Sequence, residues 1–220
     1  MSSYRFWGFV SSAFFLCSIP AIFHQLKKIW WRKQLISAGE LAEPATYSIS
    51  VNQVFSSYCG VYSFFLFGLV LDAPDPFLTY PRLLVGLLLY LVLFEIFRDR
   101  NTRAVKYVFG LATLSLFVPI VLILSGLRSS PGVRSISHLL VCAATLTMAQ
   151  GAYAQFVLLR RNQARGAVSL PMHTVLYLKD VSGMFFGLQL GVSAWSIIFM
   201  HLSNIIMRAP ILWMYWRVPR

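Results

Sequence analysis

Apolar residues along this chain fall into long unbroken runs rather than into the two-residue alternation of half-buried strands. Windows at 6–24, 49–71, 80–97, 105–127, 136–159, 172–194 and 196–216 each hold about 20 mostly apolar residues, enough for a helix rising 1.5 Å per residue to cross a hydrocarbon core of about 30 Å. The pattern predicts an all-α integral membrane protein with seven transmembrane helices, leaving no segment for a soluble domain. Span 1 begins close to Met1 with no A-x-A-like cleavage site ahead of it, and is read as a retained helix rather than a signal peptide.

Composition agrees: 58% of residues are hydrophobic and 12% charged, where soluble domains carry about 25% charged residues. The net charge of +12 would suit a nucleic-acid surface if the cations shared one folded soluble face, but they sit between apolar spans, so no nucleic-acid partner is expected. Their positions give orientation instead. Lys27, Lys28, Arg32 and Lys33 follow span 1; Arg98, Arg100, Arg103 and Lys106 follow span 3; Arg160, Arg161 and Arg165 follow span 5; Arg217 and Arg220 end the chain. The opposite ends carry Arg5, Arg128 and Arg134. Loops 26–47, 98–104 and 160–170 are therefore expected in the cytoplasm with the C-terminus, and the N-terminus outside. Cys17, Cys59 and Cys142 lie inside apolar runs without CxxC spacing and read as buried free thiols.

The chain also repeats itself. "SIPAIFHQLKKIWWRK" closes span 1 and "YSISVNQVFSSYCGVYSFFLFG" opens span 2; in the second half "AQFVLLRRNQARGAVSL" closes span 5 and "PMHTVLYLKDVSGMFFGLQLG" opens span 6. Pro20 aligns with Ala154, Gly60 with Gly183 and Gly68 with Gly191, the first loop being longer; Pro81 at the head of span 3 then meets Asn204 in span 7. Repeat 1 (6–97) and repeat 2 (136–216) are joined by a linker helix (105–127), and an odd linker makes them parallel, 3+1+3. Gly60, Gly68, Gly183, Gly187 and Gly191 read as close helix packing.

These stretches resemble the PQ-loop superfamily, which includes SWEET and SemiSWEET sugar transporters, cystinosin-type exporters and the KDEL receptor. The Pro-Gln pair is split between the repeats: Pro20 precedes Ala21, and Gln155 follows Ala154. "AVSLPM" at 167–172 and "LSNIIMRAPILWMYW" at 202–216 are similar to the sixth and seventh helices of SWEETs, with Asn204 and Tyr215 in the matching places; Ser203 replaces their Pro, and Arg82 stands where a paired Asn is expected. The resemblance implies a transporter moving a small polar solute (sugar, amino acid or similar) by alternating access, with Pro20 and Gln155 as hinge positions. The alternative is a cargo receptor or assembly factor resembling the KDEL receptor, using Arg82 and Arg208 to hold a carboxylate.

Ionisable residues inside a span cost about 2.5–3.5 kcal/mol each on translocon scales unless a partner or cavity takes them. Lys179 and Asp180 in span 6 and Arg208 in span 7 are the candidates. Asp180 lies 8 residues in from the cytoplasmic end of its span, and Arg208 the same from the end of its own, so both sit about 12 Å deep and level with one another. Adjacent positions point roughly 100° apart, so one of Lys179 and Asp180 is expected to face Arg208 or a central cavity and the other a neighbouring helix. The expected binding or coupling set is Asp180, Lys179, Arg208 and Asn204, with Asp180 either a proton-coupling carboxylate or half of a structural pair. His24, His138 and His173 are expected at interfaces. Trp30, Trp31, Trp213 and Trp216 read as aromatic-belt residues. Neither a nucleophile–base set nor HExxH nor a phosphate loop is found, and no enzyme activity, cofactor or metal is expected. The remaining expected partners are the bilayer and, as an open alternative, a second copy of the chain in a homo-oligomer.

Overall fold

The computed structural model describes residues 3–47, 49–71, 76–162, 170–191 and 195–217. All regular structure among them is helical. The first run forms α1 (Ser3–Leu16) and α2 (Ser18–Ser37), a single rod interrupted at Cys17. Pro20 accounts for the interruption, because it has no N–H for the Leu16 carbonyl and its ring presses on that turn. At 35 residues the rod is about 52 Å long. It therefore overshoots the expected 6–24 window, and Lys27, Lys28, Arg32 and Lys33 stand on helical turns of α2 rather than in a loop. Gly39, at φ 76°, turns the chain out of α2 with its N–H on the Ile36 carbonyl.

Ser50 caps α3 (Val51–Val70) by accepting from the Gln53 N–H at 3.3 Å. α4 (Pro76–Asp99) completes the first repeat, and its end clasps the preceding loop: Asp99 accepts from the Thr46 N–H at 2.8 Å and its hydroxyl at 2.6 Å. Arg100 donates to the Ile49 carbonyl at 3.0 Å.

The linker, expected as one helix over 105–127, is broken into α5 (Arg103–Ser115), α6 (Val118–Leu124) and a 3₁₀ turn, Leu127–Ser129. Pro119 is the cause. It cannot donate to the Ser115 carbonyl, and the Tyr62 hydroxyl of α3 donates to that carbonyl instead. The second repeat is α7 (Pro131–Asn162), α8 (Leu170–Leu190) and α9 (Trp195–Arg217). α7 outruns its 136–159 window at both ends. α8 stops before 194 because Gly191, at φ 77°, leaves the helical region. Arg165, the first half of "AVSLPM" (167–169), residues 192–194 and Arg220 lie outside the described residues. Among the described residues, six helical segments are long and apolar enough to cross a bilayer; α8, which carries Lys179 and Asp180, is the seventh helix of the bundle.

The packing order is the same in both halves. In the first, α1–α2 packs on α4 and α4 on α3; in the second, α7 packs on α9 and α9 on α8. The halves then join reciprocally, α3 against α7 and α8 against α1–α2, so each second helix leans on the first helix of the other repeat. The linker lies outside this ring against α3 and α4, with Tyr107, Leu114, Phe117 and Leu124 exposed. Glycines permit the close approaches: a methyl on Gly60 would strike Met148 of α7, and one on Gly68 would meet the Leu78 Cβ of α4 at 2.8 Å. Cys17 is exposed on the bundle surface and Cys59 and Cys142 are half-buried, all free thiols, so an apolar run did not mean protein burial for Cys17.

Candidate functional site

Polar residues of α8 and α9 meet where the apolar pattern of both helices is broken. His201, Asn204 and Arg208 recur at i, i+3 and i+7, one stripe of α9, and face Asp180 of α8. Asp180 is fully buried. Its Oδ1 lies 3.1 Å from Lys179 Nζ and 3.0 Å from His201 Nδ1, and accepts from Asn204 Nδ2 at 3.4 Å. Arg208 Nε donates to Oδ2 at 3.2 Å. Gly183, one turn beyond Asp180, makes room for the imidazole, since a Cβ there would run into the His201 ring. Lys179 also lies over the Phe15 ring of α1, 5.2 Å from its centroid.

Lys179 and Arg208 face a cavity of about 70 Å³ on the bundle axis, with residues of all six repeat helices in its wall. The wall is largely Ile, Val and Leu; its polar members include Gln25 of α2, Gln53 of α3, Gln155 of α7 and His173 of α8. A second, smaller cavity of about 20 Å³ lies beyond it, lined by Arg82 of α4 and His201 among others. The two share Phe15, Val61, Met148 and Lys179. These four form a septum, in which Phe15 and Met148 come from the first helices of the two repeats. Arg82 sits beside it between aromatic rings, 4.8 Å from the centroid of Phe15 and 5.5 Å from that of Phe64.

The expected residues thus divide. Asp180, Lys179, Arg208 and Asn204 form one cluster, but only Lys179 and Arg208 line the large cavity, while Asn204 serves Asp180 from behind. Asp180 faces Arg208 while Lys179 reaches Phe15 of the neighbouring α1, and the flexible Lys179 stem also folds back onto the carboxylate of its own neighbour. Gln155 is buried in the cavity wall, whereas Pro20 is on the outer face of α2. His173, expected at an interface, is 2% exposed. It lies two turns before Asp180 on α8, so it shares the inward face. In sequence His201 reads as one of several polar residues able to line a path or to be satisfied by a helix backbone, and Gln25 is not marked at all. The signal for His201 was its spacing to Asn204 and Arg208; Gln25 continues the buried stripe of Ser18 and Ile22. Among the described residues no cluster of three or more His, Cys, Asp or Glu side chains suits a metal.

The fold is that of a solved transporter. The structure of a eukaryotic SWEET transporter matches over 99% of this chain and 99% of its own, with TM-score 0.68 and 14% sequence identity. No family model matches the sequence, and neither does any curated protein.

Proposed function

We propose, from a SWEET-like bundle with an axial cavity, that this multi-pass membrane protein is a transporter moving a small polar solute by alternating access. The observation that carries the reading is the septum: two cavities on one axis, separated by Phe15, Val61, Met148 and Lys179 at the junction of the two repeats. Rocking one repeat against the other would open the septum to one side at a time. Pro20 supplies a break in α1–α2 one turn below Phe15, and Gln155 lies two turns from Met148 on α7, so both stand where the first helices would bend.

The large cavity lies in the half of the bundle where the basic helix ends gather, which the positive-inside rule assigns to the cytoplasm. In this arrangement the carrier faces inward. Asp180 and His201 form the proton-coupling pair, His201 lining the small outer cavity and Asp180 joining it to Lys179 and Arg208 on the inner one. None of these groups is arranged around a nucleophile, and the proposed role is non-enzymatic.

Counterflow of labelled sugars, amino acids and organic acids into proteoliposomes tests transport directly. Exchange of at least one solute is expected. Saturable binding without exchange of any solute would replace the transporter with a cargo receptor on the same fold. For coupling, Asp180→Asn is expected to keep solute binding and lose the response of exchange to a pH gradient; an unchanged response removes Asp180 from the mechanism.

A further inference from the structure

The polar chemistry of the large cavity is one-sided. Lys179 and Arg208 line it, and their shared counter-ion Asp180 does not, so two cations stand against one carboxylate. Arg208 uses Nε on Asp180, and its two terminal nitrogens carry further donors. Three other nitrogens in the same wall are buried without a hydrogen-bond partner: Gln25 Nε2, Gln155 Nε2 and His173 Nδ1. Amide nitrogens only donate. Among the described residues, no aspartate or glutamate lines the cavity. The two cations and the unpartnered amide nitrogens of Gln25 and Gln155 together favour an acceptor carrying negative charge.

Size and the rest of the wall narrow the class. Ile22, Val54, Leu89 and Leu176 offer hydrocarbon suited to a short apolar tail. A phosphate has no apolar part to set against this hydrocarbon. A cavity of about 70 Å³ in this state leaves room for a few heavy atoms only.

We infer that the cavity binds a small monocarboxylate, its carboxylate held by Lys179, Arg208 and the amides of Gln25 and Gln155, and its short apolar tail against the Ile, Val and Leu wall. The bound anion offsets the excess of Lys179 and Arg208 over Asp180, which lowers the cost of carrying those buried cations through the septum. The inference names the solute of the proposed transport, and rests on that reading for movement but not for binding.

The test is binding to the purified full chain in detergent, by thermal shift and calorimetry, with propionate, L-lactate, inorganic phosphate and glucose as probes. Propionate or lactate is expected to raise Tm saturably, with phosphate and glucose inert. Arg208→Gln should weaken carboxylate binding at least tenfold, but it also disturbs Asp180. Gln25→Leu and Gln155→Leu avoid that difficulty: each removes an unpartnered buried amide, so Tm of the free protein should hold or rise while carboxylate affinity falls at least fivefold. Glucose or phosphate binding with both carboxylates inert overturns the inference, as does unaltered carboxylate affinity in both leucine variants. Carboxylate binding without counterflow would end the transport reading and leave this one standing; sugar counterflow without carboxylate binding would do the reverse.

Discussion

Asp180 receives four neighbours on two oxygens, and Lys179 and Arg208 have their carboxylate in common. Removing that charge strands both cations, a loss of about 3–5 kcal/mol in a soluble interior and less in a membrane, where the unfolded reference also finds partners. Asp180→Asn is therefore expected to lower Tm, and Asp180→Asn combined with Arg208→Gln to recover part of the loss, because the double variant buries one fewer unpaired cation. Thermal unfolding of the three proteins in one detergent checks this; a double variant no better than the single would show that the network is held by packing. Gly183 offers a steric counterpart. Its methyl in Gly183→Ala would displace His201 and cost about 1–3 kcal/mol. Gly86→Ala is the control, since the nearest atom, Val61 Cγ1, is an ordinary 3.7 Å away. Equal stability of both variants would contradict the close fit. The depth arithmetic put Asp180 and Arg208 level from sequence. Lys179 folding back onto Asp180 was not legible, because side-chain torsions rather than helix phase decide where a four-carbon stem ends.

Prolines shape the helices more than loops do. Pro119 divides the linker, and the freed Ser115 carbonyl is taken by Tyr62, with Tyr58 alongside donating to the Ala112 carbonyl at 3.1 Å. Tyr62→Phe should cost about 0.6 kcal/mol, the average for polar contacts inside membranes. Against a Pro119→Ala background the same change should cost less, since an alanine N–H satisfies Ser115 within the helix. A double-mutant cycle by chemical unfolding measures the difference, and additive effects would mean that the tyrosine does not serve the break. Helix existence was readable from apolar run length, but helix ends were not. α2 and α7 continue beyond their apolar windows because polar residues at a helix end go on forming backbone hydrogen bonds in the interfacial region, where hydropathy no longer marks them.

Across the whole molecule the two repeats close a ring, and the basic helix ends gather at one rim. With Cys17, Cys59 and Cys142 replaced by serine, single cysteines at the exposed Glu40→Cys and Asn101→Cys positions are expected to resist an impermeant maleimide in intact cells and to react once the membrane is opened. Labelling of either from outside would invert the orientation and turn the large cavity outward. The same ring gives the septum its position, since α3 meets α7 and α8 meets α1–α2 on the axis.

Run length, the placement of lysine and arginine, and the recurrence of Gly60 and Gly68 as Gly183 and Gly191 determined the helical membrane class, the 3+1+3 plan and the parallel sense of the repeats. These are properties of one helix at a time or of their order, and a bilayer makes them nearly independent of partners. Which polar side chains share a cavity was decided only by tertiary structure. Arg82 of α4 and the α8 and α9 residues His173 and His201 come from separate helices, and become parts of one site because six helices rotate to bury their faces together. Asn204 shows the converse, matching a family position in sequence and yet standing behind Asp180 rather than on the cavity, since the rotation of α9 about its axis is set by packing against α7 and α8.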